Sequence, residues 1–263
     1  MLNQAQQAIS RLDYPQVKQS GMDALKIANL GYAYPDCPAV LQGIDLNIAV
    51  GERVGLIGPN GAGKTTLFLS ICGVLIPQMG EIQLFDQVVQ PGKFRPEIGL
   101  VFQNPSDQLF SLSVEEDVAF GPTNMGFSGE AIEERVCEAL HLTGVFDLRH
   151  RPPHHLSGGE RRMVAIASVL AMRPQLVIYD EPSANLDMRS RRRLIRFLQE
   201  ASQTILVSSH DLELVLEVCD RVILLDQGRI VADGVADEVM ADAALMEAHG
   251  LERPHSLSHR VER

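Results

Sequence analysis

The densest chemistry in this sequence lies in eight consecutive residues, Gly58-Pro59-Asn60-Gly61-Ala62-Gly63-Lys64-Thr65. They match G-x-x-x-x-G-K-[ST], between an apolar run, Arg53 to Ile57, and a stretch of helical character from Thr65 to Leu75. Glycines let a loop wrap tightly enough for its N–H groups to converge on phosphate oxygens. The helix start that follows adds partial positive charge. Lys64 supplies a full charge for the β- and γ-phosphates, the Thr65 hydroxyl is a ligand for Mg²⁺, and Thr66 extends the same helix start. Taken without its flanks, the stretch reads as a Gly-rich turn with a surface lysine. The strand–loop–helix context selects a nucleoside triphosphate site.

Hydrolysis needs carboxylates, and Asp180-Glu181 follows the apolar run Leu176 to Tyr179. A carboxylate at the C-terminal end of a parallel strand faces the ligand crevice of the sheet. Asp180 is read as the Mg²⁺ holder, directly or through water, and Glu181 as the base that orients or deprotonates the attacking water. Gln103 and His210 end apolar strands in the same manner, and each is placed to reach the γ-phosphate edge, Gln103 also as a metal ligand. A single such histidine would be an ordinary strand-end residue; the set gives it meaning. Ser157-Gly158-Gly159-Glu160 opens another helix with a hydroxyl and bare N–H groups, a second candidate anion site that in isolation is only an N-cap.

These residues need a scaffold that brings strand ends together. Short alternating segments from Ala24 to Ile48 predict an antiparallel β region with a turn at Tyr34-Pro35-Asp36. Arg53 to Ile57, Ile98 to Phe102, Leu176 to Tyr179, Thr204 to Ser208 and Val222 to Leu225 read as strands, with Glu81 to Val89 a strand–turn region. Between Gln103 and His155 the pattern turns helical, and Ile132, Val136, Ala139 and Leu140 share one face. Ser157 to Met172 and Met188 to Glu200 are further helices. Near-continuous apolar strands separated by helices predict an α/β fold. It would hold a P-loop nucleotide-binding core with a mostly parallel sheet, an antiparallel β subdomain and a helical insert. The expected organisation is a flexible extension over 1–22, one domain over 23–245 with its helical part at about 104–170, and a flexible end over 246–263.

Bulk composition narrows the class of function. Of 263 residues, 45% are hydrophobic and 22% charged, as in folded globular proteins. A formal net charge of −11 argues against general nucleic-acid binding, which needs basic surface to displace counterions. Cys37, Cys72, Cys137 and Cys219 are far apart and form no C-x-x-C pair, which predicts reduced thiols. No run approaches the roughly 18 apolar residues of a membrane span, and the first residues lack the features of a secretory signal. Any membrane contact is therefore expected through a partner.

The cradle, Gln103, Leu156 to Glu160, Asp180-Glu181, Ser183-Ala184-Asn185-Leu186-Asp187 and His210 stand in the order found in the ATP-binding-cassette family, which the chain resembles over about residues 24–240. The resemblance implies ATP and Mg²⁺ as cofactors and ATP hydrolysis as the activity. It also implies a head-to-tail pair, either a homodimer or a pairing with a paralogue, in which Ser157 to Gly159 clamp ATP bound by the opposite subunit. Asp187 would lie at the seam, and Tyr34 matches the aromatic that stacks on adenine, with Tyr32 nearby. Gln103 to Phe110 and Val114 to Pro122 resemble the cobalt and energy-coupling-factor importer ATPases. That branch implies an integral membrane transport subunit as partner, a peripheral place on the cytoplasmic face of the membrane, and a docking surface at Leu109, Phe110 and Phe120.

One departure stands out: Met163 occupies a position where the family carries a basic residue, although Arg161 and Arg162 precede it. The basic run Arg189, Arg191, Arg192, Arg193 and Arg196 reads as a solvated helix face. Two other functions compete. A soluble cassette acting on chromosomes or ribosomes would carry long heptad inserts or a second cassette, and neither is present. An ATP-binding switch without turnover would not need Glu181 and His210.

Overall fold

The computed structural model describes residues 22–35 and 38–258. Most of the expected extension over 1–22, with Asp36, Cys37 and the last five residues, lies outside them. Among the described residues the chain forms two compact units. One, here the helical unit, holds Pro96–Val177 and Pro182–Ala201; the other, the nucleotide unit, holds the rest.

Two sheets build the nucleotide unit. Strands β1 (Asp23–Ala33), β2 (Ala39–Ala49), β4 (Met79–Leu84) and β5 (Gln87–Val88) form an antiparallel sheet in the order β2-β1-β4-β5. From Ile44 onward β2 alternates, with Ile44, Leu46 and Ile48 buried and Asp45 and Asn47 exposed, the period of a strand with one wet face. The second sheet is built on β3 (Arg53–Ile57), which runs parallel to β8 (Thr204–Ser208) on one side and β9 (Arg221–Asp226) on the other. Every residue of β8 and four of five in β3 are buried, as two-sided coverage of a parallel sheet demands. Strand β10 (Arg229–Val235) closes the far edge as a hairpin with β9. Of strand β7 (Leu176–Asp180), Leu176 and Val177 belong to the helical unit, as does β6 (Ile98–Val101), and Ile178 to Asp180 to the nucleotide unit.

Helix α1 (Lys64–Ile71) follows β3 and stops earlier than its sequence suggests, because Gly73 turns left-handed at φ 72° just past Cys72. The helical unit contains α2 (Val114–Asn124), α3 (Glu130–Leu142), α4 (Gly158–Leu170) and α5 (Met188–Glu200). Val136, Ala139 and Leu140 are the buried face of α3, and Leu194, Ile195 and Leu198 that of α5. The basic run on α5 is not wholly solvated: Arg193 donates to the carbonyls of Thr143 and Gly144, each at 2.6 Å. Those carbonyls follow the end of α3, where a cation is favoured.

The sequence pattern missed α6 (Leu212–Val218), β10 and three short helices, α7 (Ala236–Ala241), α8 (Ala243–Ala248) and α9 (His255–Ser258). The last two fall in or beside the stretch read as a flexible end. There Met246 and Leu257 are buried, and the Ser256 N–H and hydroxyl donate to Glu213 at 3.0 and 2.7 Å.

Candidate functional site

The loop from Gly58 to Lys64 owes its shape to glycines that no other residue could replace. Gly58 has φ 150°, and a Cβ there would stand 2.0 Å from the carbonyl oxygen of Leu225. Gly63, left-handed at φ 108°, caps α1, and a Cβ on it would press within 3.1 Å of the Val40 carbonyl oxygen. Lys64 is only 8% exposed and folds back over the loop, its Nζ donating to the carbonyls of Gly58 (2.7 Å) and Pro59 (3.1 Å). Burial lowers its pKa, while Glu181 and then Asp180 oppose that shift by favouring the charge. A cation held by neutral carbonyls exchanges them readily for anionic phosphate oxygens, which satisfy it better.

Asp180 ends β7 with both oxygens occupied. Oδ2 accepts from the Thr65 hydroxyl at 2.9 Å, and Oδ1 from the Ser208 hydroxyl at 2.7 Å. A carboxylate beside a hydroxyl is an all-oxygen donor pair of the kind Mg²⁺ uses when phosphate oxygens and water complete its shell. The residues therefore fit the ion. Glu181 turns left-handed at φ 46°, with its N–H donating to Ser208, to the carbonyl and to Oγ, at 3.1 Å each. Its Oε2 accepts from the His210 N–H at 3.0 Å. His210 Nε2 lies 3.5 Å from Oε1, not aligned as a hydrogen bond, and Oε1 is buried without a hydrogen-bond partner. One oxygen of Glu181 is thus fixed, and the other keeps a free lone pair in a dry setting. That is the arrangement of a base waiting for a proton donor such as water.

Ser208 is a residue the sequence reading passed over as a strand end. Fully buried, it links Asp180 and Glu181 through one hydroxyl. Only its position at the end of a β-strand neighbouring β7 could have singled it out. Tyr34 reaches the loop directly, its hydroxyl 3.3 Å from Thr66 Oγ1, and its ring stands edge-on to Tyr32 with centroids 5.0 Å apart.

The nucleotide unit thus brings together Tyr34, Gly58 to Thr66, Asp180, Glu181 and His210. Gln103 and Ser157 to Glu160 belong to the helical unit. There Gln103 and Gly158 line one cleft of about 240 Å³ with Arg161, Arg162, Asn185 and Leu186. Ser157 and Glu160 form a reciprocal capping box: Glu160 N–H donates to Ser157 Oγ at 3.3 Å, and Ser157 N–H to Glu160 Oε2 at 2.8 Å. Bonds from the Ser157 hydroxyl and then its backbone N–H hold the Glu160 carboxyl below its ordinary value. Ser157 and Gly158 remain exposed at the start of α4, and a Cβ on Gly159 would strike the Ser190 hydroxyl. Buried Arg162 donates to the Phe102 carbonyl at 2.7 Å and the Gln103 carbonyl at 2.5 Å. Met163 beside it is 3% exposed, so the position where the family resemblance leads one to expect a basic residue is filled by core packing.

The family model for the ABC transporter matches residues 41–184. The chain belongs to the ABC transporter family. A Synechocystis sp. chain, named provisionally as an ABC transporter ATP-binding protein, is 56% identical over 234 residues, 89% of this chain and 82% of that one. The energy-coupling factor transporter ATP-binding protein EcfA of Methanothermobacter thermautotrophicus is 44% identical over 240 residues, 88% of this chain and 77% of its own. Among solved structures, CbiO1 of Clostridium perfringens, described as part of the ABC transporter complex CbiONQ, superposes with a TM-score of 0.78. Its identity is 37%, covering 92% of this chain and all of that one. This ABC transporter chain has the α/β cassette fold expected of it, and it is an ATPase. Among its described residues no helix is long and apolar enough to cross a membrane.

Proposed function

We propose that this chain is the motor of a membrane importer of the cobalt or energy-coupling-factor kind, hydrolysing ATP between two nucleotide-binding subunits. The observation that carries the reading is Glu181: buried, one oxygen tied to the backbone of His210 and the other without a hydrogen-bond partner, beside the Lys64 loop. ATP enters with its phosphates on the loop N–H groups, and Lys64 leaves the Gly58 and Pro59 carbonyls for the β- and γ-phosphates. Tyr34 lies beside the loop at Thr66, in place to pack against adenine. Thr65 and Asp180 would hold Mg²⁺, which neutralises charge on the phosphates when bound; Gln103 joins them by family resemblance alone. Glu181 Oε1 takes the proton of the attacking water, and His210 holds Glu181 in place.

The second subunit, a twin or a paralogue, contributes Ser157 to Gly159 from the exposed start of its α4, which excludes water and completes the phosphate contacts. Hydrolysis replaces a bridging ligand with separate products, and the pair reopens. Replacing Glu181 with Gln should preserve ATP affinity, lower phosphate release by at least about a hundredfold, and trap a nucleotide-bound dimer. Wild-type turnover by Glu181→Gln would refute the assignment.

Cobalt, another transition metal ion or a vitamin is the proposed cargo, carried by a separate membrane subunit against which this chain sits on the cytoplasmic face. The likeness to EcfA and CbiO1 supports that choice. Phe110 and Phe120 meet edge-on at 4.9 Å, and Phe110 and Leu112 are 66% and 83% exposed, an apolar surface suited to docking a membrane partner. Leu109, expected to share in it, is 9% exposed and packs inward instead.

A further inference from the structure

The phosphate loop rests on the turn between β9 and β10. Leu225 presents its carbonyl where a side chain on Gly58 would stand, and the Gly228 N–H donates to the Ala62 carbonyl at 3.1 Å. The same turn holds the start of β2: Gln42 N–H donates to the Gly228 carbonyl at 2.8 Å, and the Gln42 amide to the Gln227 carbonyl at 3.3 Å. Asp226 and Arg229 pair across it, leaving Gln227 and Gly228 as a two-residue link with φ 47° and 73°. Two positive φ angles suit Asn-Gly or Gly-Gly; a long side chain such as glutamine gains nothing there and bears the left-handed strain. The turn therefore benefits from a tie outside itself.

That tie comes from the far end of the described chain. His249, just past α8, places Nδ1 2.8 Å from Asp226 Oδ2, where an N–H donates to the carboxylate. Both side chains are largely shielded, at 23% and 16% exposure, so water competes poorly for the bond. His249 is itself held by the helix before it: its N–H and that of Leu251 donate to the carbonyl of fully buried Met246 at 3.2 and 2.9 Å.

We propose that His249 is a positioning residue for the ATP site, fixing Asp226 and through it the turn that supports Gly58 and Ala62. The inference rests on the reading that residues 58–66 hold ATP. It makes the C-terminal segment a determinant of nucleotide affinity, acting through the backbone under the loop and touching no nucleotide itself.

The test measures ATP binding to the full-length chain and phosphate release at saturating ATP. His249→Leu should weaken ATP binding by about three- to tenfold, the part of the bond's worth that reaches the loop through the turn, with maximal turnover nearly unchanged. His249→Asn puts an amide N–H where Nδ1 stood and should restore wild-type affinity. His249→Gln, one carbon longer, should resemble Leu. Ser256→Ala, which loosens the same segment without touching the turn, should bind ATP as the wild type does. Wild-type affinity in His249→Leu, or equal weakening in Leu and Asn, would overturn the proposal. If Leu fails to fold, the difference between Asn and Gln decides in the same way. Lys64→Ala keeps the two readings apart. Should the wild type show no ATP binding that Lys64→Ala removes, the site itself is misassigned whatever His249 does.

Discussion

A single buried hydroxyl organises the acidic pair. Ser208 Oγ donates to Asp180 and accepts from the Glu181 N–H, so its loss leaves buried Asp180 Oδ1 without its donor, while the Glu181 N–H keeps only the Ser208 carbonyl. Ser208→Ala should cost about 1–3 kcal/mol in urea unfolding and slow phosphate release as well. Gly58→Ala is predicted to abolish ATP binding, since its Cβ and the Leu225 carbonyl claim the same space; an equilibrium binding assay checks it. Burial pushes the thiols of Cys72 and Cys219 up to about 12, so at pH 8 only about one in ten thousand is thiolate. Maleimide should label both far more slowly in the native chain than in urea. The cradle was legible at this scale because its glycines and Lys64 are contiguous, and a local pattern needs no fold to be read. Ser208 was not, because a serine ending a strand is common, and its role comes from Asp180 and Glu181, brought alongside from a neighbouring strand.

Among the elements, α4 carries the clearest acid signature. The Ser157 bonds hold Glu160 below its ordinary 4.5, so their contribution is complete above that pH and is lost as pH falls through the lower folded value. Ser157→Ala should destabilise the chain by about 1 kcal/mol at neutral pH. It should also flatten the acid limb of unfolding followed by circular dichroism; an unaltered acid limb would count against the linkage. The strands and helices read correctly were those with one strong period or a continuous buried run. β3, α5 and β8 have the limits that their patterns suggested. Helix α6 escaped because Leu212, Leu214, Val215, Leu216 and Val218 crowd seven residues with apolar side chains and leave no clear face. Strand β10 escaped because its edge position leaves it half exposed, with Gly234 inside it.

At the scale of the molecule, the candidate site residues are divided between two units, and the helical one begins at Pro96 and takes in Pro182–Ala201, which a shift from strand to helix after Gln103 does not announce. The membrane partner is not written in the cassette motifs. The docking surface proposed for it consists of residues whose exposure only the fold reveals, and Leu109 illustrates the difference by turning inward. Phe110→Asp should reduce copurification with the membrane subunit and leave ATP binding by the free chain intact. Undiminished assembly would direct attention to another face.

Arg162 gives the helical unit a property its motifs do not announce. It grows from the second turn of the helix whose first turn displays Ser157 and Gly158, and its guanidinium grips the peptide carbonyls on either side of the Phe102–Gln103 bond. The segment carrying Gln103 and the helix start proposed to serve a second subunit are thereby bolted into one rocker. A nudge to the strand end must tilt the serine, and a push on the serine must be felt at the glutamine.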